Sequence, residues 1–268
     1  MNVRMSISNT VSTLFLIAAL CAPAQTLVDH IRMPGSRLDL STRNEVAAAV
    51  RRSGDWLAAQ QSPQGSWGIS NTVKITSAAL VALCAPPRPQ HSDNRARAAL
   101  WLKSTAGQQI ADIETHALRL LALSLTLPDS SVRSNLFADL VAQAPKSTNI
   151  SAAAPADKAL WLMVASAVTY TDVEPEPDTT ARLAKIAAEW PPFPCDAREI
   201  WYKARLINAA GSGRLTCDGT ILDWRAETAI FLLGSQRRAP SGGAYWDAPD
   251  NDQRILETAW AVLTMTEL

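Results

Sequence analysis

Charged residues are scarce in this 268-residue chain, and neither sign of charge dominates. Lys, Arg, Asp and Glu make up 19% of the residues, and 25 basic side chains balance 25 acidic ones. The formal net charge is therefore zero, which leaves no positive field to hold a nucleic acid or an anionic lipid surface. We expect no nucleic-acid partner.

The sequence also lacks the short motifs of several large enzyme classes. No P-loop, GxGxxG, HExxH or GxSxG is present, so the usual sequence evidence for nucleotide binding, zinc proteolysis or serine hydrolysis is missing. Neither a CxxC pair nor a Cys/His cluster with zinc spacing occurs. We expect no metal and no cofactor.

Long apolar runs are absent except near the start of the chain. Arg4 precedes an apolar stretch that ends at 22–24 in the small-x-small sequence Ala-Pro-Ala. Such a segment is typical of a secretory signal peptide, and the run is shorter than the ~20 residues of a membrane span. We predict a signal peptide at 1–24, cleavage before Gln25, and a periplasmic or secreted protein with no membrane span after cleavage.

Cysteine is rare, and cleavage would leave an odd number. Three of the four cysteines lie beyond the signal peptide: Cys84, Cys195 and Cys217. In an oxidising compartment Cys195 and Cys217 could form a disulfide, because they flank one helix-like segment. The alternative is that all three are small buried hydrophobic side chains, which the apolar neighbours of Cys84 favour.

Strand-like alternation is missing, and apolar residues recur instead at spacings of three and four, the pattern of amphipathic or buried helices. Pro- and Gly-rich turns divide the chain into about ten helices, at a repeat distance of roughly 35 to 50 residues that is typical of helical-hairpin arrays. We predict a tail at 25–40 and one all-α domain at 41–268. Its helix pairs are 42–61 with 72–84, 93–105 with 111–126, 129–143 with 154–169, 178–189 with 196–210, and 220–236 with 253–266.

Two of the turns share an order of residues in which a Gln is followed by a Gly and then by a Trp. A Gln at a helix end can bond backbone groups, a Gly can adopt positive φ, and a Trp can cover the gap between neighbouring hairpins. We therefore predict that these residues join repeats. The residues are Gln61, Gly65 and Trp67 in the first turn, and Gln236, Gly243 and Trp246 before the last helix.

The first of these turns resembles the QW motif, Q-x-x-x-G-x-W, of the prenyltransferase and squalene-cyclase repeat family. The resemblance covers 41–85 and 220–268 well and the middle of the chain by pattern alone, and in the second turn six residues rather than three separate the Gln from the Gly. It implies an α/α toroid of about five helical hairpins. In such a fold an inner ring of helices is wrapped by an outer ring and often encloses a central cavity.

The catalytic residues of that family are not matched here. Its class II cyclases protonate an alkene with an Asp in a DxDDTA-type motif, and the nearest segment is 111–117. Aligned on Thr115, that segment supplies Glu114 as one acid but lacks the proton donor, which leaves Asp112 and Glu114 as candidate acids. Zinc-dependent members would need Asp, Cys and His together, whereas His116 is the only histidine on a predicted inner helix, which supports our expectation of no metal.

Other acids could serve a polysaccharide-cleaving enzyme, but their spacing places no two of them on one wall. They are Asp196, Glu199, Asp223, Glu227 and Glu257. A Glu-Thr pair recurs at 114–115, 227–228 and 257–258, always before an apolar helical run. A ring of polar groups at a cavity mouth is one interpretation, and we favour the other, in which the acids and threonines stabilise helix N-termini.

We predict that a cavity is lined by residues of the presumed inner helices: His116, Trp201, Tyr202, Glu257 and Trp260. The function that the sequence favours is an extracytoplasmic binding module, with an apolar small molecule or an envelope protein as its partner. One alternative is a terpenoid cyclase-like or polysaccharide-cleaving enzyme that uses displaced acids. The other is a structural envelope protein that works through its outer surface.

Overall fold

A computed structural model describes residues 38–84, 91–105, 107–108, 110, 112–126, 196–209, 215–217 and 220–268. Four predictions lie outside these described residues. They are the signal peptide at 1–24, the three helices predicted between 129 and 189, the tail up to residue 37, and the pairing of Cys195 with Cys217.

Helices dominate the described part of the chain, as predicted. The helices are α1 Leu40–Ala59, α2 Thr72–Cys84, α3 Ser92–Ser104, α4 Ile113–Thr126, α5 Ala197–Ala209, α6 Trp224–Ser235 and α7 Asn251–Met265. Two antiparallel hairpins of three-residue strands accompany them: β1 Leu215–Cys217 with β2 Thr220–Leu222, and β3 Gln236–Arg238 with β4 Ala244–Trp246.

The two β-hairpins are the main departure from the predicted elements. Residues 220–222 form β2 rather than the start of a helix, and Gln236 begins β3 rather than ending a helix. Strands of three residues are too short to show an alternating pattern, so they leave no periodic signal in the sequence. The other described helices begin and end within two residues of the predicted bounds.

Aspartate side chains begin most of the helices. Five of them accept a hydrogen bond from the backbone N–H three residues later, at 2.8 to 3.1 Å. This bond satisfies an N–H group that the helix itself leaves unpaired. The acids and threonines of the Glu-Thr pairs were predicted to stabilise helix N-termini. Glu114 and Glu227 do lie in first turns, but threonine capping is wrong, because the caps are aspartates. The capping residues are Asp39, Asp112, Asp196, Asp223 and Asp250.

Helices α4, α2, α7 and α5 pack side by side in that spatial order. Helix α3 lies against α2 and α4, α1 lies against α2 and α7, and α6 lies against α1 and α7. Helix α2 is buried almost all round between its neighbours, which explains its continuous apolar sequence. The described helices therefore form two layers, one with α2, α4, α5 and α7 and the other with α1, α3 and α6.

The first and last described hairpins are neighbours in space. Helix α7 packs against both α1 and α2, and strand β4 also lies against α1. Between the two hairpins, the Asp252 carboxylate accepts hydrogen bonds from the backbone N–H groups of Ile69 (3.0 Å) and Ser70 (2.6 Å). Contacts between residues far apart in the sequence thus hold the two ends of the described chain together.

Candidate functional site

The two Gln-Gly-Trp turns make the same pair of tryptophan hydrogen bonds. In each turn the backbone N–H of the buried Trp donates to a buried Thr on the following helix, and the indole N–H donates to a backbone carbonyl of the preceding helix. The bonds are Trp67 N to Thr76 Oγ1 (2.9 Å) and Trp67 Nε1 to Leu57 O (2.6 Å), then Trp246 N to Thr258 Oγ1 (3.1 Å) and Trp246 Nε1 to Leu232 O (3.0 Å). Each Trp therefore ties together the two helices of its own hairpin.

The Gln and Gly of the first turn contact helix α3. Gln61 Nε2 donates to Asn94 O at 2.8 Å, and Gln61 Oε1 accepts from Asn94 Nδ2 at 2.8 Å. Gly65 has a φ of +96°, and a Cβ there would lie 2.6 Å from the backbone oxygen of Arg97. These contacts join the first hairpin, α1–α2, to the second, α3–α4.

The Gln and Gly of the second turn contact helix α1 in the same manner. Gln236 Nε2 donates to Ser53 Oγ at 3.0 Å, and Gln236 Oε1 accepts from an Arg52 guanidinium nitrogen at 3.0 Å. A Cβ on Gly243 would lie 2.9 Å from the Cβ of Trp56. The linker that joins the first hairpin to the second has a counterpart that joins the last hairpin to the first.

Charged side chains from three helices meet at Glu114, the second residue of α4. Lys74 of α2 forms an ion pair with Glu114 Oε2, and Arg198 Nε of α5 lies 2.8 Å from Glu114 Oε1. The Glu114 side chain is 2% exposed, whereas those of Lys74 and Arg198 are 20% and 34% exposed. The acid is therefore enclosed beneath two cations, an arrangement that links helices rather than presenting a proton donor.

Asp112 lies beside this group but has a different role. Its carboxylate accepts bonds from the backbone N–H and the hydroxyl of Thr115, and it lies 4.0 Å from Lys74 Nζ. Burial alone would raise the pKa of Asp112, but the Thr115 hydrogen bonds and the Lys74 charge together lower it. Asp112 was predicted within a helix, whereas it precedes α4 as its N-cap.

Three aromatic side chains pack together next to Arg198. The ring centroids are 5.1 Å apart for Trp201 and Trp260, 5.3 Å for Trp201 and Tyr202, and 6.2 Å for Tyr202 and Trp260. All three rings are buried, and the Arg198 guanidinium lies 5.8 Å from the Tyr202 ring centroid. Arg198 thereby connects the aromatic group to the Glu114 ion pairs.

We call these neighbouring residues the ionic–aromatic site. The site consists of Lys74, Glu114, Arg198, Trp201, Tyr202 and Trp260. The acid and the aromatic side chains were predicted from the sequence, whereas Lys74 and Arg198 were not. Lys74 is the only charged residue of α2, and a lone charge on an apolar helix was the signal that could have revealed it.

The remaining predicted cavity residues lie near this site without forming its contacts. Glu257 of α7 accepts a hydrogen bond from Ala197 N at 2.9 Å, and burial raises the pKa of the Glu257 carboxyl. His116 is buried within α4. Glu257 thus connects α7 to the N-terminus of α5.

The recurring Glu-Thr pairs do not form one structural feature. Thr258 accepts from Trp246, Thr115 donates to Asp112, and Thr228 donates to Trp224 O of its own helix. Neither a polar ring nor threonine capping therefore describes all three pairs.

Metal chelation is not supported in the part of the chain that the structure describes. There, no three His, Cys, Asp or Glu side chains come close enough together to hold an ion. His91, the other described histidine, lies 3.1 Å from an Asp55 carboxylate oxygen. Within the same residues, no helix is long and apolar enough to span a membrane.

Comparison with known proteins gives no assignment, because no family model, curated protein or solved structure matches this chain.

Proposed function

We propose that this chain is an extracytoplasmic α/α-toroid binding module of the prenyltransferase and squalene-cyclase repeat type, with an apolar ligand held at the ionic–aromatic site. The matched linkers support the toroid. Gln61 joins hairpin one to hairpin two, and Gln236 makes equivalent contacts from the last hairpin to the first. In a head-to-tail series of repeats, each unit contacts the next through the same interface. When the last unit contacts the first through that interface, the series forms a closed ring.

The position of the ionic–aromatic site supports ligand binding as the activity. Its side chains come from α2, α4, α5 and α7, which pack side by side in the layer that would form the inner ring. Ligand sites are mostly apolar with a few polar groups that fix orientation, and three aromatic rings beside two cations match that description. This convergence of four helices is the observation that carries the proposal.

The contacts of the two candidate acids favour binding over cyclase-like catalysis. Asp112 caps α4, and Glu114 is enclosed by two cations. A protonating acid needs a proton that it can release to the substrate, whereas both carboxylates are engaged in stabilising contacts.

Native mass spectrometry of the protein, gently purified from a host that exports it, is the first test. We expect a discrete small-molecule adduct in the wild type. The adduct should be lost or strongly reduced in a Trp201→Phe/Trp260→Phe double variant. Trp224→Phe changes a buried tryptophan on α6 outside the site, so it should keep the adduct.

Three outcomes would count against this proposal. An adduct that survives equally in the double variant would place the ligand elsewhere. A bare protein, or one bound to another chain, would favour a structural role. Turnover of an added polyprene that is lost in Asp112→Asn would favour the displaced-acid enzyme instead.

N-terminal sequencing of the exported protein tests the predicted start at Gln25.

A further inference from the structure

Arg119 on α4 is a buried cation whose guanidinium has no partner among the described residues. The side chain is 0% exposed, and none of its three guanidinium nitrogens has a hydrogen-bond acceptor there. Burial lowers the pKa of Arg119 from its ordinary value, but a guanidinium remains protonated in proteins. Among the residues that the structure describes, a positive charge is therefore enclosed without a counter-charge.

The fold does not require a cation at this position. Helices α2, α4 and α7 each contain a threonine that gives a common reference point: Thr76, Thr115 and Thr258. The residue four positions after it is Leu80 in α2, Arg119 in α4 and Val262 in α7. Leu80 and Val262 are both buried core residues. An apolar side chain thus occupies the equivalent position in two hairpins, and α3–α4 differs.

The hairpin α3–α4 also differs in its linker. Residues 105–112 connect its helices and contain no tryptophan, whereas the other two linkers hold their hairpins with Trp67 and Trp246. The buried tryptophan bonds that tie the helices of the other two hairpins are therefore missing from this linker, so α3–α4 departs from those hairpins in both its linker and its buried cation.

We propose that Arg119 binds an anionic group, a carboxylate or a phosphate, that is buried beside its guanidinium in the folded protein. A guanidinium is suited to this role because its planar fork matches both groups through two parallel hydrogen bonds. An isolated buried charge is strongly unfavourable, so an anion beside Arg119 stabilises the folded state. This site is separate from the ionic–aromatic site and does not depend on the function proposed above.

Thermal unfolding in different anions tests this proposal. The purified protein is exchanged into chloride buffer, and its Tm is compared in phosphate and in acetate at equal ionic strength. We expect phosphate or acetate to raise the wild-type Tm by roughly 3 °C or more. A response to phosphate alone identifies a phosphate site, and a response to acetate alone identifies a carboxylate site.

Arg119→Met should remove this response and should raise the Tm in chloride, because the unpaired charge is gone. Arg225→Met is the matched control, since Arg225 is also buried but donates to Asn208 Oδ1 at 2.6 Å. That variant should have a lower Tm and keep the anion response. If Arg119→Met does not fold, Arg119→Lys, which keeps the charge without the fork, should show a weaker response than the wild type.

A wild-type Tm that is equal in all three anions would overturn the proposal. So would an anion response of unchanged size in Arg119→Met or, where that variant does not fold, in Arg119→Lys.

Discussion

Thr76 and Thr258 show how a single hydroxyl can determine the geometry of a hairpin. Each is completely buried and accepts the backbone N–H of the linker tryptophan. The tryptophans were recognisable in the sequence because of their order after Gln and Gly. Their threonine partners were not, because a Thr on an apolar helix has several possible hydrogen-bond partners that only the folded structure distinguishes.

The buried Trp–Thr bond gives the first prediction. Thr76→Val keeps the shape of the side chain but leaves the Trp67 N–H without its acceptor, so we expect a loss of ~1–3 kcal/mol in the free energy of unfolding. Urea unfolding followed by tryptophan fluorescence measures this loss. Thr228→Val is the control, since Thr228 is equally buried but donates only to a carbonyl of its own helix. Equal losses in the two variants would contradict the assigned role of Thr76.

The second prediction concerns Cys84. Burial raises the pKa of the Cys84 thiol to about 11, so very little of the reactive thiolate exists near neutral pH. We expect Cys84 to resist iodoacetamide at pH ~8 in the folded protein and to react readily in urea. Mass spectrometry of the peptide that contains Cys84 measures both rates. Rapid labelling of the folded protein would show that this side chain is accessible.

The third prediction follows from the buried carboxyl group of Glu257. Burial and the nearby Asp196 charge raise the pKa of Glu257, although the Ala197 hydrogen bond opposes them. Because the folded state holds this proton more tightly than the unfolded state, the contribution of Glu257 to stability is full below the unfolded pKa. It is lost as the pH rises through the folded pKa.

Glu257→Gln keeps an oxygen that can accept from Ala197 N but does not ionise. We therefore expect the variant to be as stable as the wild type in acid and more stable near neutral pH. Urea unfolding between about pH 4 and 7 measures the difference. A difference in stability that is the same at every pH would rule out Glu257 as its source.

At the scale of whole elements, helix periodicity was a reliable guide and linker conformation was not. Spacings of three and four predicted the described helices, because each buries one face or all faces against neighbours. The strands at 236–238 and 244–246 could not be predicted, because their pairing depends on the turn between them. The aspartate caps were visible in the sequence but were interpreted as candidate acids in three cases.

The linker glycines give the fourth prediction, at this scale. Gly65→Ala places a methyl group 2.6 Å from a backbone oxygen at a φ of +96°, so we expect a loss of ~2 kcal/mol or more. Gly107→Ala is the control, because a Cβ there meets nothing within 4 Å. Urea unfolding of the two variants measures both effects. Similar stability of the two would show that the first linker is free to move.

The fifth prediction belongs to the whole molecule and concerns the equivalence of the two joints. The contact between the last and the first hairpin should be equivalent to the contact between the first and the second. Gln61→Ala and Gln236→Ala should then each lower the free energy of unfolding by ~1–3 kcal/mol, and each variant should still unfold in one cooperative transition. Gln253→Ala, an exposed position, should have little effect. Loss of stability in only one of the two linker variants would contradict this equivalence.

The sequence alone predicted the helical class and that Gln61 and Gln236 join hairpins, but not the ionic–aromatic site as a whole. Its prediction that the tryptophans bridge neighbouring hairpins was wrong, because each Trp bonds to the two helices of its own hairpin. Glu114 and Trp260 were selectable by residue type. Lys74 was marked only as a lone charge on an apolar helix, and Arg198 was not selectable, because these side chains meet only when three helices far apart in the sequence pack together. Arg119, which has no partner in the described part of the chain, was equally unpredictable, because the sequence does not show which charges lack a counter-charge.

The docking of α7 against α1 and α2 has a consequence for the order in which the chain folds. The first hairpin is synthesised early, yet part of the apolar surface that it buries is supplied by the last helix. Such pairing joins residues far apart in the sequence, and loops of this length must close before their contacts contribute. The N-terminal helices therefore reach their final packing only once α7 has been synthesised.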